Sequence, residues 1–288
     1  MTAKITIILP SKNEGGSLIK LLPQLQQLFG GQEIIVVNDG STDNTTEICK
    51  QLGVQIINHP YSMGNGAAIK SGARAATGEI LIFMDSDNQH QPSDIPRLLA
   101  GLDKGYDMVI GARNAEGQAS FGRFAANTLY NRLASWMVNQ KIEDLTSGFR
   151  AVRAAKFREF LYLLPNGFSY PTTSTMAFFR AGYPVAYIPI KAEKRIGKSH
   201  INFIKDGVRF LLIIFKIGTL YSPLKLFFPV ALLHALLGLS YYVYSYMAHG
   251  KLSLATIFLL TASVTIFLIG LVSEQITQLM YKSAEKDK

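Results

Sequence analysis

Ile80-Leu-Ile-Phe-Met-Asp-Ser-Asp-Asn-Gln-His90 is the stretch on which the reading of this chain turns: an apolar run fit for a buried strand ends abruptly in two acids one residue apart. Alternation along an extended chain points Asp85 and Asp87 the same way, and two like charges held that close call for a cation. A hard divalent ion such as Mg²⁺ takes one or two carboxylates and completes its shell with water and phosphate oxygens, and Gln89 could add a neutral oxygen. Asp-X-Asp pairs also occur as helix caps and solvated turns. The position directly after a buried strand is what favours a metal seat here.

Working outward, residues 5–9, 34–37, 54–57, 80–84 and 107–110 form short apolar runs rich in β-branched residues. Segments with helical spacing, such as Leu18 through Leu28, separate them. Strands alternating with helices predict an α/β doubly wound, mostly parallel sheet covered on both faces. Such sheets bind ligands past the carboxyl ends of their strands. From about residue 115 to 200 the spacing predicts helices over Phe124–Val138 and Ala151–Leu164, then a strand over Val185–Ile190.

Hydrophobic residues make up 48% of the 288 and charged residues only 17%, and the apolar excess lies almost wholly beyond residue 200. The chain therefore divides into a soluble domain over 1–200, juxtamembrane amphipathic helices over 201–222, and a membrane portion over 223–288. Ile201 to Tyr221 mixes apolar residues with Lys205, Asp206, Arg209 and Lys216, which suits helices lying in the membrane interface. Leu224–Met247 and Leu252–Val272 are each long enough to span a bilayer, and the short link between them makes a transmembrane hairpin. Lysines and arginines from Lys191 to Lys225, with Lys282, Lys286 and Lys288, outweigh Lys251 in the link, so the domain is expected on the cytoplasmic side. Tyr221, Tyr241, Tyr242, Tyr244 and Tyr246 suit either interfacial anchors or a packed face between helices. Two spans bury little helix surface alone, so a homo-oligomer is expected.

The net charge of +9 sits largely before the apolar tail, where anionic headgroups or phosphorylated substrates explain it. Basic residues are not interleaved with aromatics on one face of the soluble half, so nucleic acid is not an expected partner. The single cysteine, Cys49, excludes an internal disulfide and reads as a small buried hydrophobe. Met1-Thr-Ala-Lys-Ile-Thr-Ile-Ile-Leu-Pro10 reads as a first strand rather than a signal peptide.

Three more segments carry chemistry. In Asn38-Asp-Gly-Ser-Thr-Asp43, Asp43 is accounted for by capping, and Asp39, at the strand end, is the better ligand. Gly64-Asn-Gly66 leads into a helix whose N-terminal N–H groups and dipole would favour phosphate. Arg150, in Ser147-Gly-Phe-Arg150, either contacts phosphate or braces its loop by pairing with Asp144 or a neighbouring carboxylate.

Taken in order, Leu9-Pro-Ser-Lys-Asn-Glu14, Val37-Asn-Asp-Gly-Ser-Thr-Asp43, Gly64-Asn-Gly-Ala-Ala-Ile-Lys70, Ala76-Thr-Gly-Glu79, Asp85-Ser-Asp-Asn-Gln-His90, Gly111-Ala-Arg113, Asp144-Leu-Thr-Ser-Gly-Phe-Arg150 and Arg195-Ile-Gly-Lys198 make a specific set. The set resembles family 2 glycosyltransferases of the GT-A fold, and among them the polyprenyl-phosphate glycosyltransferases, the group containing dolichol-phosphate mannose synthase. The resemblance implies that Pro10, Glu14, Asp39 and Gly66 surround a nucleotide-sugar donor. It also implies that Asp85, Asp87 and Gln89 hold Mg²⁺ or Mn²⁺ on the donor diphosphate. Arg113, Arg123 with Asn127, and Arg195 with Lys198 match positions around the phosphates, where a polyprenyl phosphate acceptor would sit. Relatives often carry lysine where Asn65 stands and a small residue such as alanine at Ser86. A processive polysaccharide synthase is a second reading, but it would usually show Gln-X-X-Arg-Trp, whereas Trp136 stands in Ala-Ser-Trp-Met. A membrane-tethered nucleotide sensor without turnover is a third, and the intact acids and arginines argue against it.

Overall fold

The computed structural model describes residues 3–113, 121–167, 169–191, 215 and 218–286, side chains of 121–127 and 281–286 excepted. The chain divides into two compact units, Met1–His200 and Ile201–Lys288.

In the first unit, β1 (Ile5–Ser11), β2 (Glu33–Asn38), β3 (Gln55–Asn58), β4 (Ile80–Phe83), β5 (Met108–Arg113), β6 (Arg150–Arg153) and β7 (Val185–Ile190) form one seven-stranded sheet. Its order is β3-β2-β1-β4-β6-β5-β7. β1 pairs in parallel with β2 and β4, and β3 extends that set beyond β2. β6 runs antiparallel to both neighbours, with Ala151 opposite Ile82 on one side and Val109 on the other. This GT-A-like sheet is thus mixed. It corrects the expectation of a helix from Ala151: residues 151–153 are strand, α6 covers only Ala154–Arg158, and turns follow. Arg-Ala-Val-Arg is too short and too polar to signal a strand alone. Its backbone is recruited by the unpaired edges of β4 and β5.

Helices α1 (Gly15–Phe29), α2 (Thr45–Gln51), α3 (Asn65–Ala75), α4 (Ile95–Asp103), α5 (Phe121–Val138) and α7 (Tyr170–Arg180) complete the unit. Leu18, Leu21, Leu22 and Leu25 of α1 lie on one stripe and pack on Ile7, Leu9, Val36 and Ile82, each leucine contributing about 1.5–3 kcal/mol of burial. α3 covers the other face. A Cβ on Gly72 would fall 2.4 Å from the Ile8 side chain, so glycine lets α3 approach β1 closely. α7 escaped sequence reading because every residue from Tyr170 to Phe178 is buried, which leaves no amphipathic stripe.

In the second unit, α8 (Pro223–His249) and α9 (Leu254–Lys286) form an antiparallel hairpin. Both are long and apolar enough to cross a membrane. Gly250, at φ 63°, closes α8 with its N–H on the Tyr246 carbonyl at 2.8 Å. α9 continues past Val272 because Ser273–Lys286 contains neither proline nor glycine to stop it. Tyr241, Tyr242, Tyr244 and Tyr246 are all exposed on α8, so they do not form a packed face within the hairpin, whereas Tyr221 is buried. The amphipathic helices expected over 201–222 fall largely outside the described residues.

Candidate active site

The parallel strands β1, β2 and β4 end at one edge of the sheet, with Ser11 level with Asn38 and Ile8 level with Phe83. Their carboxyl ends open into a cavity of about 430 Å³. Pro10 and Ser11 line it from the end of β1, Lys12 and Glu14 from the turn that follows, and Asp39 from just past β2. Ser62, Gly64, Asn65 and Ala68 come from the β3–α3 segment, and Asp85, Ser86 and Asp87 follow β4. Pro10, Glu14, Asp39, Asp85 and Asp87, drawn from distant points of the sequence, thus share one cavity.

Asp85 receives no hydrogen bond from any described residue, and Asp87 accepts only the Gln89 N–H at 3.2 Å. Ser86, between them, is buried and donates to the Pro10 carbonyl at 2.9 Å, tying this turn to the end of β1. Asn88 turns the chain at φ 61°. Burial, reinforced by neighbouring Asp87, pushes the Asp85 carboxyl above the usual aspartate range despite the opposing pull of His90, Arg113 and Arg150. His90 is buried, stacked on Phe149 with ring centroids 5.0 Å apart, and its Nδ1 has no partner among the described residues. Burial lowers its pKa. Among the described residues no three His, Cys, Asp or Glu side chains cluster as a closed metal cage. Two under-coordinated carboxylates on an open cavity fit a hard divalent ion completed by water and ligand phosphates.

Asp39 is committed to the protein. Its Oδ1 accepts the Met63 N–H at 2.8 Å and faces His59 Nδ1 at 2.8 Å; its Oδ2 accepts Gly64 N–H and Ser62 Oγ–H, both at 2.9 Å. Burial alone would raise its pKa, but these bonds hold it below the ordinary aspartate range. Asp39 therefore shapes the 59–64 loop that walls the cavity. His59, whose Nε2 lies 2.8 Å from Ser71 Oγ, and Ser62 were not legible as site residues. Asp43 is a cap, accepting Gly15 N–H at 3.0 Å and Thr45 N–H at 3.1 Å.

The glycine loop does not offer the N–H cradle expected of it. Ala67 N–H donates to the Asn166 carbonyl at 2.9 Å and Gly66 N–H to the Gly167 carbonyl at 3.2 Å. Lys70 holds the same segment through the Leu164 carbonyl at 3.1 Å. A Cβ on Gly66 would lie 1.9 Å from the Pro165 carbonyl oxygen, so this glycine serves close packing of 165–167. Asn65 Oδ1 is buried without a partner among the described residues.

Arg113 forms a two-pronged ion pair with Asp144, Nε to Oδ2 at 2.8 Å and Nη2 to Oδ1 at 3.0 Å. Arg150 therefore does not pair with Asp144. Nor can it reach a ligand phosphate, being fully buried. Its Nη1 donates to the Pro171 carbonyl at 3.0 Å, Ser174 Oγ at 2.9 Å and Thr175 Oγ1 at 3.0 Å, and its Nη2 to the Ser147 carbonyl. It braces the loop, but through neutral oxygens. Gln89 and Gly66 lie beside the cavity segments without lining it. Arg123 and Asn127 stand on α5 with side chains outside the described residues, as do Arg195 and Lys198 entirely.

Comparison with known proteins adds the following. The model for glycosyl transferase family 2 matches residues 6–161, and the GtrB C-terminal hairpin matches residues 222–279. A dolichyl-phosphate hexose transferase of Haloferax volcanii is 26% identical over 70% of this chain and 89% of its own. The putative glycosyltransferase CsbB of Bacillus subtilis is 26% identical over 98% of this chain and 89% of its own. An undecaprenyl-phosphate 4-deoxy-4-formamido-L-arabinose transferase of Photorhabdus laumondii is 30% identical over 70% of this chain, which spans 64% of that protein. The crystal structure of Mycobacterium tuberculosis glucosyl-3-phosphoglycerate synthase, in complex with Mn²⁺, UDP and glucosyl-3-phosphoglycerate, superposes with a TM-score of 0.61 at 22% identity, covering 75% of this chain and 79% of that one. That likeness establishes the shared fold. With the family model matched over more than half its length, and a sheet whose strand ends carry the acids that the sequence singled out, this chain belongs to glycosyl transferase family 2.

Proposed function

We propose that this glycosyltransferase moves a hexose from a nucleotide sugar, of the UDP-glucose or GDP-mannose class, to polyprenyl phosphate at the cytoplasmic face of a membrane, inverting the anomeric centre. One observation carries the reading. Asp85 and Asp87 share a strand-end cavity in a chain that also bears the GtrB hairpin. The names of the Haloferax and Photorhabdus relatives, both transferases on a polyprenyl-type phosphate, support the acceptor class. The Mn²⁺ and UDP in the mycobacterial neighbour support the donor side.

Asp85 and Asp87, with Gln89 nearby, would hold Mg²⁺ or Mn²⁺. When bound, such an ion supplies Lewis-acid neutralisation of charge on the departing nucleoside diphosphate. Pro10 and Glu14, with the 59–64 loop held by Asp39, wall the space for the nucleoside. A lipid phosphate is already ionised at neutral pH and is its own nucleophile, so no strong general base is needed. Its oxygen forms a bond to the anomeric carbon as the bond from that carbon to the diphosphate breaks. Single displacement turns an α-linked donor into a β-linked lipid product. Arg123, Asn127, Arg195 and Lys198 are the proposed acceptor-phosphate contacts, because guanidinium and ammonium groups suit phosphate oxygens and the asparagine amide can donate to them.

The test incubates the detergent-solubilised protein with Mg²⁺, undecaprenyl or dolichyl phosphate and a panel of radiolabelled nucleotide sugars. Label from one donor extracted into organic solvent supports the reading and names the sugar. No transfer from any donor, with nucleotide binding intact, would overturn it in favour of a nucleotide sensor.

A further inference from the structure

Among the described residues Asp85 receives no hydrogen bond, and what meets its carboxylate there is packing. The backbone of Gly148 supplies that packing: a Cβ placed there would fall 2.9 Å from Asp85 Oδ2 and 3.2 Å from Oδ1. The two carbonyls flanking this contact are both held by buried side chains. Buried Arg150 donates to the Ser147 carbonyl, and the hydroxyl of buried Tyr170 donates to the Gly148 carbonyl at 3.1 Å. The same stretch is also held by Ser147 Oγ on the Gly111 carbonyl at 2.6 Å and by Ser147 N–H on Asp144 at 3.1 Å.

Arg150 is a conspicuous choice for a brace. A fully buried guanidinium whose acceptors among the described residues are all neutral carries a desolvation cost, and its Nε finds no partner among those residues. Its centre lies 5.7 Å from the Tyr170 ring centroid. A neutral donor could hold one carbonyl. The guanidinium fork reaches the Ser147 carbonyl and three oxygens of α7 at once, joining the Ser147–Gly148 peptide to the helix that presents Tyr170.

We propose that Arg150 and Tyr170 are positioning residues for Asp85, holding the Ser147–Gly148 peptide as a rigid floor that fixes the carboxylate for its cation. The inference rests on the metal-seat reading above. Outer-shell groups that orient ligands without touching the metal typically change affinity by about 10–100-fold when altered.

The test titrates Mn²⁺ alone into the full-length solubilised protein, reading free Mn²⁺ by EPR, for the wild type, Tyr170→Phe and Gly148→Ala. Tyr170→Phe deletes one hydroxyl and keeps the buried ring; Gly148→Ala puts a methyl group against Asp85. We expect Mn²⁺ affinity to fall about tenfold in Tyr170→Phe and further in Gly148→Ala, with transfer activity recovered at raised Mn²⁺. Unchanged Mn²⁺ affinity in both variants, with only the thermal midpoint lowered, would overturn the inference and leave these residues a merely structural role. Failure of the wild type to bind Mn²⁺ both alone and with UDP present would instead overturn the metal seat itself, and the inference with it.

Discussion

Replacing Asp144 by asparagine keeps the shape of the side chain and removes its charge. Asp144 is 5% exposed and accepts six donors: the N–H, Nε and Nη2 of Arg113, the N–H and hydroxyl of Thr146, and the N–H of Ser147. An amide can accept through only one oxygen, and its NH₂ faces a donor wherever it turns. Removing one partner of a buried ion pair costs about 3–5 kcal/mol; the 29% exposure of the Arg113 side chain lets water take up part of the loss, which places Asp144→Asn near 3 kcal/mol. For a unit of this size that lowers the midpoint by about 6–12 °C. Trp136, the only tryptophan, lies on α5 of the first unit, so its fluorescence on heating reports the catalytic unit rather than the hairpin. Burial alone would raise the Asp144 pKa, but Arg113 holds it below the ordinary range. The charge therefore contributes stability above the unfolded value of about 3.9 and loses it as pH falls through the folded value, so the gap between variant and wild type should narrow in acid. A midpoint within about 1 °C of wild type at neutral pH, which corresponds to well under 1 kcal/mol, would refute the argument.

Two further outcomes follow from packing. Gly66→Ala forces a Cβ into the Pro165 carbonyl and should cost about 1–3 kcal/mol, whereas Gly16→Ala, with open space around it, should not destabilise; equal thermal midpoints for the two would contradict the close-approach argument. Cys49 is fully buried, and burial pushes its thiol up to about 11, so a thiol reagent should label the native protein slowly and the denatured protein fast; rapid native labelling would contradict its burial.

Much of the nucleotide half was legible because its signals are local. Each of β1, β2 and β4 is an apolar run followed by polar residues, so the register that gathers Pro10, Asp39, Asp85 and Asp87 could be read from strand ends alone. What stayed hidden depends on distance along the chain. Asp144 pairs with Arg113, thirty-one residues away, rather than with nearby Arg150, because Asp144 meets Arg113 at the end of β5 while Arg150 turns towards α7. Gly66 looked like a phosphate loop; the segment that takes up its N–H lies a hundred residues on. β6 exists because β4 and β5 each leave an edge to fill, a fact of assembly rather than of composition. The bond from the Tyr170 hydroxyl to the Gly148 carbonyl likewise joins residues twenty-two apart, and spacing along the chain does not reveal it.

The most direct test of the account is transfer of label to polyprenyl phosphate by the wild type, Asp85→Asn and Asp87→Asn, each with Mg²⁺ and with a chelator. A seat that neutralises leaving-group charge supplies several kcal/mol, so the account predicts organic-phase label from the wild type with Mg²⁺ and a loss of about 100-fold or more in either variant or with the chelator. Transfer at the wild-type rate by both variants, or transfer indifferent to the chelator, would contradict it.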